Sequence, residues 1–318
     1  MGIKKNVFGS KSEQRNFYKL SRTWGDKYRI YHNLPFLNIF TVQGVYDFSN
    51  AHPLSLSEKD MSRLKKTSVD FTLCDENDSP ILCIEFDGLQ EGFNIGDTYH
   101  PTDISHPPDE WRKIITELKL KVAIGSSFPF VVVASKHFND LTNDVKLTIV
   151  DGIIGDILAN RNTNLQISKG FNPNNVGYSD DEFAELSDSQ QHEIMQDWVL
   201  MIELESDFEH NPIIRIRAEM ERELGVHGHS IEYFCYPSLD TAKTLQERVA
   251  LMNNAIYNGV KIKLNTHDLG AVEGMALIPN FKSIGFTGSL AEEIAAIFAM
   301  QRIKSLRTKA ALTKIKGS

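Results

Sequence analysis

Cysteine is scarce. Cys74, Cys83 and Cys235 make an odd count with no C-x-x-C spacing. That excludes a disulfide-built miniprotein and a zinc ribbon, and it fits a reducing compartment. Long apolar runs are also missing. None approaches the roughly 18 residues of a membrane span. Met1–Lys5 carries no apolar h-region, so no secretory signal is expected and the expected location is cytoplasmic. There is no G-x-x-x-x-G-K-[ST], no G-x-G-x-x-G and no G-x-S-x-G. Gly88, Gly92 and Gly96 therefore form no phosphate-cradling loop, and a serine hydrolase is disfavoured. No repeat or low-complexity tract occurs.

What is present is an ordinary globular composition. The chain has 318 residues, 41% hydrophobic and 24% charged, enough for two domains. A net charge of −8 excludes a protein that coats nucleic acid by bulk charge. The distribution is uneven. Residues 1–30 hold eight basic and two acidic side chains, and residues 302–318 hold six basic and none acidic. Such arms either meet phosphates or simply keep the protein dissolved.

Ser10 and Glu13 have capping-box spacing at the start of a helix over 10–24. The segments 28–31 and 36–42 read as extended, and 51–66 as a polar connection. Ser68–Cys74 and Ile81–Asp87 alternate around the turn-rich Asp75–Pro80, which predicts a hairpin. Residues 88–108 read as a long loop, 109–124 as a helix with the apolar stripe Trp111, Ile114, Ile115, Leu118 and Val122, 128–135 as a buried strand, and 145–160 as a helix. The stretch 164–188, with Asn-Pro-Asn-Asn and Ser-Asp-Asp-Glu, reads as a linker. It divides a first domain, 1–163, from a second, 189–318. In the latter the pattern predicts helices at 187–198, 212–224, 240–258 and 289–305, and strands at 199–205, 229–236, 260–265 and 272–278. The fold class expected is mixed α/β.

The hairpin carries the chemistry. Alternation puts Val69, Phe71 and Leu73 on one side of the first strand and Leu82, Ile84 and Phe86 on one side of the second. Asp70, Glu85 and Asp87 then share the other side. Like charges at close range repel unless a cation lies between them, and hard oxygen ligands suit magnesium or manganese. The plainer reading is an exposed strand face carrying ordinary acids. On the following helix, Arg112 and Lys119 border the apolar stripe, whereas Lys113 and Lys121 each lie four residues from Glu117. Lys119 either reaches over the sheet toward the carboxylates or snorkels at the core edge. His227-Gly-His229 reads as a turn, and His106 as a solvated loop residue.

These residues resemble a known family. Asp70, then Ile84-Glu85-Phe86-Asp87-Gly88, then a loop with His100 and Asp109, then Arg112 and Lys119 before Phe128–Val133, resemble the PD-(D/E)xK nuclease superfamily, in its DUF2726-like branch. The resemblance covers residues 10–160. It implies a restriction-endonuclease-like sheet of about four strands flanked by helices, and Mg²⁺- or Mn²⁺-dependent hydrolysis of nucleic-acid phosphodiesters, DNA ahead of RNA. It implies Asp70 and Glu85 as metal ligands, joined by the Phe86 carbonyl and by Asp87. Glu13 would add a carboxylate, although its capping role also explains it. Arg112 and His100 would meet substrate phosphate. The family's usual lysine, two residues after the glutamate, is here Asp87, so the resemblance assigns that role to a lysine of the next helix, Lys119 or else Lys113 or Lys121. The alternative is an inactive nucleic-acid-binding or interaction module that keeps the shape.

The second half loosely resembles an α-β-β-β-α double-stranded-RNA-binding module. Glu292 and Glu293 stand where that module carries a lysine pair, so interaction, oligomerisation or substrate selection is the role expected for residues 189–318.

Overall fold

The computed structural model describes residues 8–41, 46–47, 52–53, 56–87, 90–95, 98–101, 110–236, 244, 246–247, 257–279 and 288–316. Helix α1 (Lys11–Trp24) leads into β1 (Arg29–Pro35), the single turn α2 (Phe36–Ile39), and the short pair β2 (Tyr46–Asp47) and β3 (His52–Pro53). Then come α3 (Glu58–Leu64), the hairpin β4 (Ser68–Cys74) and β5 (Pro80–Asp87), and the small pair β6 (Gln90–Ile95) and β7 (Thr98–Pro101). Helix α4 (Glu110–Gly125) crosses to β8 (Phe130–Ala134). Four helices follow: α5 (Ile149–Ser168), α6 (Asp180–Ala184), α7 (Asp188–His210) and α8 (Pro212–Leu224). The chain closes with β9 (Val226–Tyr236), β10 (Tyr257–Thr266), β11 (Gly270–Pro279) and the long helix α9 (Gly288–Lys316).

The first sheet has the order β1-β4-β5-β8. Its first two pairings are antiparallel, and β5 and β8 run parallel, with Glu85 beside Val132. A parallel neighbour needs a crossover, and α4 supplies it. Both faces of this sheet are covered. Cys83, Phe130 and Val132 pack with Leu118 and Val122 of α4. Phe71, Leu82, Ile84 and Val131 pack with Leu20 of α1 and Ile153 of α5. The carboxylate-bearing side expected from alternation is thus a second core layer rather than a bare surface. Val69, which alternation groups with Phe71 and Leu73, belongs to the cluster under α4.

The second sheet has the order β11-β10-β9, antiparallel throughout. Alternate residues Val260, Ile262 and Leu264 are buried against α9, which presents Ala291, Ala295 and Ala299 at the contact. Gly274 makes that approach possible: a Cβ there would sit 2.1 Å from the Ala295 carbonyl oxygen. Helix α5 joins the two sheets. Its Gly155 lies so close to Asn211 that a Cβ would come within 2.8 Å of the Asn211 Cα. One continuous apolar cluster runs from Leu20 and Ile84 through Ile153 and Ile213 to Ile262 and Ile294.

Several local expectations change. Phe36–Ile39 is helical rather than extended, and α3 interrupts the polar connection 51–66. The long loop holds β6 and β7. Helix α5 runs on through Ser168, and α6 forms within the linker-like stretch. The apolar run at 199–205 is not a strand but the middle of α7. A short apolar run suits either period. Here Ser206, buried and accepting from Asn162 Nδ2 at 2.9 Å, packs that segment against α5 as helix. The expected helix 240–258 lies mostly outside the described residues, and Tyr257 and Asn258 begin β10. Among the described residues, no helix is long and apolar enough to cross a membrane.

Candidate functional site

The site lies where the central ladder opens. β4 and β5 pair at Phe71 and Ile84 and beyond toward the hairpin turn, and no pairing continues past Ile84 toward Phe86. A backbone group released from a ladder needs another partner. The Phe86 N–H finds one in Asp70, whose Oδ2 accepts it at 2.8 Å. On the other strand, Ser68 stands opposite Pro35 of β1, which has no N–H to offer. The Ser68 carbonyl accepts instead from Lys119 Nζ at 2.7 Å. The same ammonium donates to Glu85 Oε1 at 2.6 Å. Two strands and one helix are therefore tied together by side chains at the gap.

Lys119 is only 3% exposed. It occupies the middle of the buried face of α4 rather than its border, with Ile115, Leu118 and Val122 around it. Trp111, expected in that stripe, is 53% exposed and lies under the Arg63 guanidinium, 5.2 Å from its ring centre. The buried face of α4 is rotated so that the ammonium points inward to two oxygens, which satisfy much of its hydrogen-bonding need. Glu85, one residue beyond Ile84 on β5, shares its face with Cys83 and so meets α4.

Burial pushes the Asp70 carboxyl up to about 8, and the neighbouring Glu85 charge adds to the rise. The Phe86 N–H and the Lys119 charge act in the opposite direction, and Glu13 raises it further. Asp70, Glu85, Lys119 and Glu13 thus share one electrostatic neighbourhood.

Glu13 reaches it from the opposite face of the sheet. Its Oε2 accepts from the backbone N–H groups of Gly9 at 2.8 Å and Ser10 at 3.2 Å, closing the capping box expected from the sequence. Its Oε1 pairs with His32 Nε2, and Asn33 Nδ2 lies 3.4 Å away. His32 is a polar neighbour that sequence reasoning passed over. Strand alternation gives the available signal, since His32 interrupts an apolar row between Ile30 and Leu34.

No family model, curated protein or solved structure matches this chain.

Arg112 is exposed near the start of α4, about 10 Å along the helix axis from Lys119. Lys113 is half-buried and Lys121 exposed; of the three lysines, Lys119 is the one that contacts Glu85. The Phe86 N–H is the group that Asp70 Oδ2 accepts. Asp87 and His100 have backbone in β5 and β7, and their side chains, like residues 88, 89 and 106, lie outside the described residues.

Among the described residues, no three His, Cys, Asp or Glu side chains are grouped to hold one metal ion. Magnesium does not require such a cage. It commonly takes one or two carboxylates and completes its shell with water. Asp70 and Glu85 are mutually repelling oxygen donors of that kind.

Proposed function

We propose that this protein is a metal-dependent nuclease, a hydrolase of nucleic-acid phosphodiesters with a restriction-endonuclease-like first sheet. The observation that carries the reading is the meeting of Asp70, Glu85 and Lys119 at the opened end of β4 and β5. A mixed four-strand sheet with helices on both faces supports it.

Asp70 and Glu85 would hold Mg²⁺ or Mn²⁺. When bound, the ion supplies Lewis-acid charge and a more acidic water. The chain's own residues do the rest. The Phe86 N–H fixes the Asp70 carboxylate, leaving Oδ1 for other contacts. Lys119 keeps a positive charge in the site, where it offsets charge developing on a phosphate. Glu13, locked by its capping bonds and His32, adds negative potential that strengthens cation binding. Arg112, on the exposed first turn of α4, is placed to meet a substrate phosphate. DNA is the favoured substrate over RNA.

A second reading rests on the direct Lys119–Glu85 bond, in which the ammonium already neutralises one of the two carboxylates. An inactive nucleic-acid-binding or interaction module would keep this pair permanently closed. One experiment separates the two. Thermal unfolding of the full chain is followed with and without Mn²⁺, beside cleavage of single- and double-stranded oligonucleotides. A nuclease gives a rise in Tm with Mn²⁺, through binding to the folded state, and cleavage that both Asp70→Asn and Glu85→Gln abolish. Cleavage surviving in both variants, or no Mn²⁺ shift and no cleavage in the parent protein, rejects the nuclease.

A further inference from the structure

Helix α7 is built inside out on its solvent side. It packs on α5 through the side bearing Ser206. Its opposite side carries Glu193, Asp197, Leu200, Met201, Leu204 and Phe208, which fall on one stripe at helical spacing. The four apolar members are between 52% and 60% exposed. The helix holds seven acidic residues and no lysine or arginine. Beside Leu204 and Phe208 opens a cleft of about 830 Å³, walled by Ile214 and Arg215 of α8 and by Lys27.

The complementary surface stands at the other end of the chain. Ile303 is the last buried residue of α9 among the described side chains. From Ser305 to Thr313 every residue is exposed except Arg307, which Asp268 and the Leu224 carbonyl hold. The helix nevertheless continues to Lys316, about 14 Å past Arg307. An unsupported helix of that length is marginal in water. This extension exposes Leu306 and Leu312, and residues 302–316 hold six basic side chains and no acidic one.

We infer that the acidic, apolar outer face of α7 docks the basic extension of α9 from a second copy of this chain. Charge complementarity selects the pairing, and leucines of the extension supply apolar groups for the stripe and its cleft. A two-fold arrangement uses the contact twice, α7 with α9 and α9 with α7, which doubles the buried area from one surface pair. The pairing also gives the exposed end of α9 the partner that a stable helix requires.

Sedimentation velocity on the full chain tests this across loading concentration and salt. The expected result is a dimer that dissociates as salt rises. L204E and L312E, both at exposed positions, should each weaken it at least about tenfold while the monomer stays folded by circular dichroism. D197K and K309E should each weaken it, and the double variant D197K/K309E should recover much of the loss, which a merely structural effect would not do. A monomer at every concentration, a dimer indifferent to L204E and L312E, or a K309E variant that loses only retention on nucleic acid, overturns the inference.

Discussion

Replacing Lys119 with methionine probes the physical basis of the site most directly. The substitution keeps the length and apolar stem of the side chain and deletes the ammonium. Two charge-assisted hydrogen bonds go with it, to Glu85 Oε1 at 2.6 Å and to the Ser68 carbonyl at 2.7 Å. The Glu85 side chain, 16% exposed, loses that charge-assisted contact while staying largely screened from water. Removing one partner of a buried ion pair costs about 3–5 kcal/mol, because the remaining charge keeps its desolvation penalty. Glu85→Gln should cost a comparable amount for the mirror-image reason. The double variant K119M/E85Q removes both charges, so its loss should fall short of the sum of the single losses by about 2 kcal/mol or more. Urea unfolding at neutral pH, followed by tryptophan fluorescence, measures all four proteins. Trp24 and Trp111 lie on α1 and α4, on opposite faces of the first sheet, so the signal, shared with Trp198 of α7, includes the relevant layers. A K119M midpoint equal to that of the parent protein, or losses that add, would show that the pair is not a closed buried contact, and the account of how β4, β5 and α4 are tied would fail.

Two further outcomes follow from the packing around α5 and α9. Burial pushes the Asp156 carboxyl up to about 8, with the Asp207 charge adding to the rise. Between about pH 4 and pH 8 the folded chain therefore holds a proton that the unfolded chain has released, so this contribution to stability is full at low pH and is lost as pH rises, by up to about 1.4 kcal/mol per pH unit. Asp156→Asn keeps an oxygen for Asn211 Nδ2, which donates to Oδ1 at 2.6 Å; its stability advantage over the parent should grow from pH 4 to pH 8, and a pH-independent difference would refute the assignment. Gly274→Ala should destabilise by about 1–3 kcal/mol through overpacking, because the new methyl would meet the Ala295 carbonyl at 2.1 Å and the Ala299 nitrogen at 2.6 Å; an unchanged urea midpoint would mean that α9 has room to move off the sheet.

Local pattern was enough wherever one period dominated. The capping box at Ser10 and Glu13, the hairpin from Ser68 to Asp87 and the helix over 212–224 follow from short-range chemistry that holds in any context. Alternation also sufficed to put Glu85 on the face away from Ile84. Where a segment's own residues were neutral, the pattern misled. The apolar run in α7 fits a strand as well as a helix, and only its packing on α5 decides.

The sequence by itself determined which side chains belong to the hairpin and that an amine stands on the next helix, because spacing along a strand or helix fixes direction over a few residues. Tertiary structure decided what those groups do. It ended the β4–β5 ladder at Phe71, so that Asp70 and Lys119 take up backbone groups on the facing strands, and it turned α4 until Lys119 lay beneath the surface. It also brought His32 to Glu13 and left the outer stripe of α7 uncovered among the described residues. Those outcomes depend on which distant segments meet, and desolvation and ion pairing act only once they have met.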